Sequence, residues 1–131
     1  GDAADEASGR SLPAARLRSL KEDITHHIAS GQPLHLPQLA ARHGISTVYV
    51  QKLFERNGTS FSAFVLGQRL EHVRRQLCNP RFARRKISDI VFDAGFGNLS
   101  WFNRAFRRRY SMTPSDMRAA AATGNHAVPH R

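Results

Sequence analysis

The sequence predicts an all-α chain of about seven helices. Apolar residues recur at three- and four-residue spacing rather than alternating. The periodic runs stop at a glycine, an Asn-Gly or an Asn-Pro, and most are preceded by a Ser, Asn or Thr able to cap a helix.

Taken in order, Leu17, Leu20, Ile24 and Ile28 make one apolar stripe that ends at Gly31. Pro37 suits the first turn of a short second helix, which Gly44 closes. Ser46 can cap a third helix running to about Arg56, with Asn57-Gly58 as its stop. Ser62 is expected to open a long helix to about Cys78, with Phe64, Val65, Leu70, Val73 and Leu77 facing the core, before Asn79-Pro80 breaks it. Ser88 is expected to cap a short helix to Ala94, Asn98 another to about Tyr110, and Thr113-Pro114 begins a last one. The aromatic row Phe92, Phe96, Phe102 and Phe106 reads as core, and Cys78 as a buried small apolar residue.

Composition narrows the partner. At 131 residues the chain suits one domain or two very small ones, and its formal net charge is +10. The excess is uneven. Residues 1–68 carry seven Lys/Arg against six Asp/Glu, whereas residues 69–110 carry eleven against Glu71, Asp89 and Asp93 alone. So positive a field on half a small chain points to a polyanion, either nucleic acid or an acidic membrane surface. A single cysteine rules out an internal disulfide framework and fits a reducing compartment. No apolar run approaches the ~20 residues of a membrane span, and no secretory signal opens the chain. Residues 1–12 and 122–131 are expected to be disordered ends, and the Gly1 start suggests a piece of a longer protein.

The strongest organisational signal is an internal repeat. "LAARHGI-STVYVQKLFER", residues 39–56, aligns with "IVFDAGFGNLSWFNRAFRR", residues 90–108, with one gap after Ile45. Leu39 meets Ile90, Gly44 meets Gly95, Ser46 meets Asn98, Val50 meets Phe102 and Phe54 meets Phe106. Each copy reads as a short helix, a glycine turn and a capped helix, the pattern of a helix-turn-helix. The second copy is looser, with Val91 where the first has Ala40 and with Gly97 added in its turn.

On a helical wheel, Phe102, Ala105 and Phe106 share the inward face of the second copy, while Ser100, Asn103, Arg104, Arg107 and Arg108 project elsewhere. The first copy repeats this, with Val50, Leu53 and Phe54 inward and Val48, Gln51 and Lys52 outward. Gln/Lys on one helix and Asn/Arg on the other are donors suited to base edges in a major groove. Arg56 and Arg107–Arg109 suit phosphates.

These residues resemble the AraC/XylS family of bacterial transcription regulators. The resemblance covers roughly residues 15–120 and is most specific over "ISDIVFDAGFGNLSWFNRAFRRRYSMTPSDMR", including Gly95-Phe96, Phe102, Arg104, Phe106-Arg107 and Thr113-Pro114; "RLEHVRRQL", residues 69–77, resembles the family's linker helix. It implies two homeodomain-like helix-turn-helix subdomains on one linker helix: a first unit over 13–60, the linker over 61–79 and a second unit over 80–121. It implies base contacts at Val48, Gln51 and Lys52 in the first unit and at Ser100, Trp101 and Arg104 in the second; Asn103, outward on the helical wheel, is expected to meet a base edge as well. Phosphate contacts are expected at Ser46, Thr47, Arg56, Asn98, Arg107 and Arg108. The chain departs from the family at Ser111, where glycine is usual, and at Val91, where alanine is usual.

The resemblance further implies double-stranded promoter DNA as partner and RNA polymerase as a candidate second one. Family members are typically activators, sometimes repressors, and sense an effector, and dimerise, through a domain not contained in this chain. Localisation would be cytoplasmic, on the nucleoid when DNA-bound.

Plainer readings stand beside these. Arg107–Arg109 could be a solvated face, Gln51, Lys52 and Arg104 ordinary surface, and Trp101 or its counterpart Tyr49 a packing residue against the linker helix. The competing function is a non-specific or architectural nucleic-acid binder, which needs only cations. An enzyme is not expected, because no nucleophile–base pair, carboxylate pair or phosphate loop is present. No cofactor is expected either, and His26, His27, His35, His43 and His72 lack metal-ligand spacing with Cys78. A 17-residue linker helix at ~1.5 Å per residue spans ~25 Å; neighbouring grooves lie ~34 Å apart, so one monomer is expected to read two unlike boxes in successive major grooves.

Overall fold

A computed structural model describes residues 11–124. The expectations for residues 1–10 and 125–131 lie outside that range. Seven α-helices and one 3-10 turn, with no strand among the described residues, bear out the all-α expectation. The helices are α1 (Leu12–Ala29), α2 (Leu36–Arg42), α3 (Thr47–Arg56), α4 (Phe61–Leu77), α5 (Ile87–Asp93), α6 (Leu99–Tyr110) and α7 (Pro114–Ala122), and the 3-10 turn spans Pro80–Phe82. The chain forms two compact units, divided after Leu66 within α4.

In the first unit, Ser11 Oγ accepts from the Ala14 N–H and starts α1, so Ser11 and Leu12 already belong to the folded part. The stripe on α1 buries Leu20, Ile24 and Ile28 against Leu39 and Ala40 of α2, Val50, Leu53 and Phe54 of α3, and Val65 of α4. Leu17 is only partly buried. Phe54 is the centre of an aromatic cluster, with Phe61 and Phe64 at centroid distances of 5.9 and 5.4 Å. These contacts explain a shift from expectation. The cap of α4 is Ser60, whose Oγ accepts from Ala63 N at 3.0 Å, and not Ser62. Starting the helix at Phe61 lets that ring pack on Phe54 from the first turn.

The second unit is built around an aromatic ladder. Phe96, Phe102, Phe106 and Tyr110 follow one another at 5.0, 5.4 and 4.7 Å and are buried, together with Leu70, Val73, Leu77, Ile90, Val91 and Met117. Three expectations need correction here. Phe92 is 48% exposed, because Ile90, Val91 and Ala94 occupy the inward arc around it. Helix α5 starts after Lys86, with no side-chain cap, so Ser88 lies inside its first turn. Cys78 is only partly buried where α4 ends.

Candidate nucleic-acid interface

The repeat read in the sequence is also a repeat of backbone hydrogen bonds. At the end of α2, Gly44 N–H donates to Ala41 O at 3.1 Å and Ile45 N–H to Ala40 O at 3.0 Å. At the end of α5, Gly95 N–H donates to Phe92 O at 3.0 Å and Phe96 N–H to Val91 O at 3.3 Å. This paired closure needs a left-handed residue after the helix, and Gly44 (φ 68) and Gly95 (φ 102) supply it. The following helix is then capped the same way in both units. Ser46 Oγ accepts from Tyr49 N at 3.1 Å and Asn98 Oδ1 from Trp101 N at 2.8 Å. The extra Gly97 is absorbed between turn and cap, and Val91 is fully buried at its position.

These turns fix which faces of α3 and α6 stay free. On α3, Val50, Leu53 and Phe54 go inward while Val48, Gln51, Lys52 and Arg56 are exposed, Val48 by 57%. On α6, Phe102, Ala105, Phe106 and Tyr110 go inward while Ser100, Trp101, Asn103, Arg104, Arg107 and Arg108 are exposed. Of the capping residues expected at phosphates, Ser46 and Asn98 are exposed and Thr47 is half-buried. The expected base and phosphate residues of each unit therefore fall on the outward side of its second helix or at that helix's first turn. Trp101 is 46% exposed, with its ring 5.9 Å from Phe96, so the ring it packs on is that of the preceding turn rather than the linker helix, and it opens to solvent. Tyr49 differs from it, being half-buried with the Arg16 guanidinium 5.8 Å from its ring centroid.

Arg109 departs from the phosphate expectation. Its Nε donates to Tyr110 Oη at 3.1 Å and its guanidinium lies 5.5 Å from that ring's centroid. A Cβ on Gly67 of α4 would sit 3.3 Å from its Nη1, so this arginine folds back along its own unit. Arg107 and Arg108 remain as the outward cations of the last turn of α6.

Two carboxylates hold these elements in place, and neither was anticipated. In the first unit, Asp23 of α1 accepts from His43 Nε2 at 2.8 Å and from Arg42 Nη2 at 3.1 Å at the end of α2, and pairs with His27 at 2.9 Å. Burial raises its carboxyl, but the hydrogen bonds from His43 and Arg42 outweigh that and hold it below the ordinary range. In the second unit, Glu71 of α4 accepts from Arg74 Nε at 2.9 Å and from Tyr110 Oη at 2.9 Å, with Arg75 3.5 Å away. The Arg74 hydrogen bond dominates, and the carboxyl is held down to about 2. Burial and the adjacent Glu71 raise the Tyr110 phenol, so it stays a proton donor. The sequence carried one clue, since Glu71 is the lone acid of α4 among its arginines.

Among the described residues no three His, Cys, Asp or Glu side chains group as a metal site, and no helix is long and apolar enough to cross a membrane. A family model described as a helix-turn-helix domain matches residues 39–120, which takes in both repeats and the helix between them. The transcriptional activator RhrA of Rhizobium meliloti is 38% identical over 115 residues, covering 88% of this chain and 36% of that protein. The regulatory protein SoxS of Salmonella typhimurium is 34% identical over 104 residues, covering 78% of this chain and 92% of SoxS. The chain belongs to the AraC/XylS family of transcription regulators. It spans about a third of RhrA but nearly all of SoxS. Its fold matches a crystal structure of a DNA-binding transcriptional dual regulator from Escherichia coli K-12 with a TM-score of 0.70 at 20% identity, over 82% of this chain and 93% of that one. As an AraC-type helix-turn-helix domain, the chain binds DNA sequence-specifically in transcription regulation.

Proposed function

We propose that α3 and α6 are the two recognition helices, each entering a major groove, and that one chain reads two unlike boxes about one turn apart. The supporting observation is the repeated turn and cap, which leave Val48, Gln51 and Lys52 free on one helix and Ser100, Trp101, Asn103 and Arg104 free on the other. Gln51 and Asn103 match adenine N6 and N7, and Lys52 and Arg104 match guanine O6 and N7. Val48 and Trp101 offer apolar surface to a thymine methyl. Ser46, Thr47, Asn98, Arg56, Arg107 and Arg108 hold phosphates on either side and set the register.

In this reading the chain acts by binding and not by catalysis, in the cytoplasm. Transcription is activated through contact with RNA polymerase, and effector sensing and dimerisation reside in a further domain. The activator sense is supported by the likeness to the transcriptional activator RhrA. Selection of bound duplexes from a random pool, followed by footprinting of the winners, tests the arrangement. An asymmetric site with two protected boxes per monomer is expected; a palindrome protected only by a dimer of this chain contradicts it.

A further inference from the structure

The exposed cations of the second unit are not all on its recognition helix. Arg74 and Arg75 are occupied by Glu71, Arg109 by Tyr110, and Arg85 pairs with Asp93. Arg69 is half-buried, and a Cβ on Gly95 would lie 2.8 Å from its Nε. Arg81, Arg84 and Lys86 are exposed and make no side-chain hydrogen bond or ion pair among the described residues. All three fall between α4 and α5. The segment carrying them is pinned, with Asn79 Oδ1 accepting from Arg81 N at 3.0 Å, the Phe82 carbonyl accepting from Arg118, and Arg85 tied to Asp93 at the far end of α5. A loop held this firmly has little ordering entropy left to lose when its side chains meet a ligand.

Its position is informative too. Lys86 directly precedes Ile87 and Ser88, which share a surface groove of about 570 Å³ with Asn103 and Arg107 of α6, and with Pro114 and Ser115 at the start of α7. The loop therefore leads directly into residues that share a groove with the outward face of α6. In a helix-turn-helix the first helix crosses the DNA backbone while the second lies in the groove, so the residues leading into α5 meet phosphate. The first unit has no equivalent: residues 30–35, which lead into α2, contain no Lys or Arg.

We propose that Arg81, Arg84 and Lys86 form a second phosphate-binding surface, which grips the DNA backbone beside the box read by α6 and makes this unit the electrostatic anchor of the pair. The proposal rests on the DNA-binding reading of α6 and extends it to a segment outside the recognition helix. Point charges on exposed side chains carry no base information, so the loop adds affinity without changing sequence preference.

The test compares the wild-type chain, an R81Q/R84Q/K86Q variant and an Arg104→Gln control. Each is titrated against the best duplex from a random-pool selection and a scrambled duplex, at several salt concentrations. The loop variant is expected to lose roughly 10- to 100-fold on both duplexes at 0.1 M salt, with a log–log salt slope shallower by about 2 to 3 and an unchanged ratio between the duplexes. The control should change the ratio instead. A loop variant with wild-type affinity and slope overturns the proposal, and would assign the patch to an acidic protein partner. A loop variant that alters the ratio also overturns it, because the loop would then be reading bases. Wild-type protein that binds neither duplex overturns the DNA reading itself, which separates the two failures. Circular dichroism of the loop variant should match wild type, since the three side chains are exposed and make no hydrogen bond or ion pair among the described residues. If it does not, the single variant Arg84→Gln, expected to lower the slope by about one, decides in its place.

Discussion

Tyr110, the last residue of α6, donates its phenolic hydrogen to Glu71 Oε1 of α4 at 2.9 Å, across 39 residues of sequence. The bond fixes the end of a recognition helix to a carboxylate that Arg74 also holds. Tyr110→Phe keeps the ring in the aromatic ladder and removes only the donor. A hydrogen bond to a charged group contributes ~1.5–3 kcal/mol; this one is half-buried and Arg74 remains, so the loss in urea denaturation should lie near ~1 kcal/mol. A variant as stable as wild type would show that the ladder alone holds the helix end.

The same carboxylate sets an acid limit on stability. Its folded pKa, about 2, is depressed from an ordinary 4.5. A depressed carboxyl contributes stability that is complete above the unfolded value and is lost as pH falls towards the folded one. Wild-type stability should therefore drop between about pH 5 and pH 2. Glu71→Gln should be less stable at pH 7 and should lose less across that window. Denaturation curves at pH 7, 5, 4 and 3 check both, and parallel pH profiles for the two proteins would show that Glu71 does not set the acid limit.

Ser111 takes the left-handed conformation (φ 60, ψ 23) that ends α6. A non-glycine residue there carries ~1 kcal/mol of strain, so Ser111→Gly should stabilise by ~0.5–1 kcal/mol and raise Tm by a few degrees. A lower Tm would mean that the serine side chain repays its strain through a local contact.

The two turn glycines should respond unequally to alanine. A Cβ at Gly44 meets nothing within 4 Å, so only the positive φ resists it, costing ~1 kcal/mol. At Gly95 the φ of 102° lies further from the left-handed basin, and the half-buried Arg69 side chain must also move. Gly95→Ala should cost ~2–3 kcal/mol. Equal losses on thermal unfolding would show that Arg69 yields freely.

Features set by local chemistry were legible in the sequence. Ser46, Asn98 and Thr113 cap the helices they precede because a hydroxyl or amide oxygen needs only the N–H three residues on. The outward face of each second helix followed from periodicity, because the apolar arcs of α3 and α6 are narrow and one-sided. What failed depended on distant residues. Ser60 rather than Ser62 caps α4 because Phe61 must reach Phe54. Phe92 looked apolar enough for the core, yet its own helix turns Ile90 and Val91 inward instead. The pairs Asp23–His43 and Glu71–Tyr110 join residues 20 and 39 apart, and no local pattern announces them. The contact of Arg109 with Tyr110 escaped the sequence for the same reason, since that ring is held in place by Glu71.

In the proposed arrangement, α6 reads bases with Arg104 and holds phosphate with Arg108, one turn further along. Bidentate pairing with guanine is worth ~1–3 kcal/mol of discrimination, whereas a phosphate contact adds affinity to every sequence alike. The direct measurement is the ratio of affinity for the selected duplex to affinity for a scrambled one, in Arg104→Ala and Arg108→Ala. Arg104→Ala should lower that ratio about 5- to 100-fold and flatten preference at one or two base pairs, with scrambled-DNA binding nearly intact. Arg108→Ala should weaken both duplexes by similar factors and make the salt slope shallower by about one. If Arg104→Ala loses selected and scrambled DNA equally, this face of α6 does not read sequence.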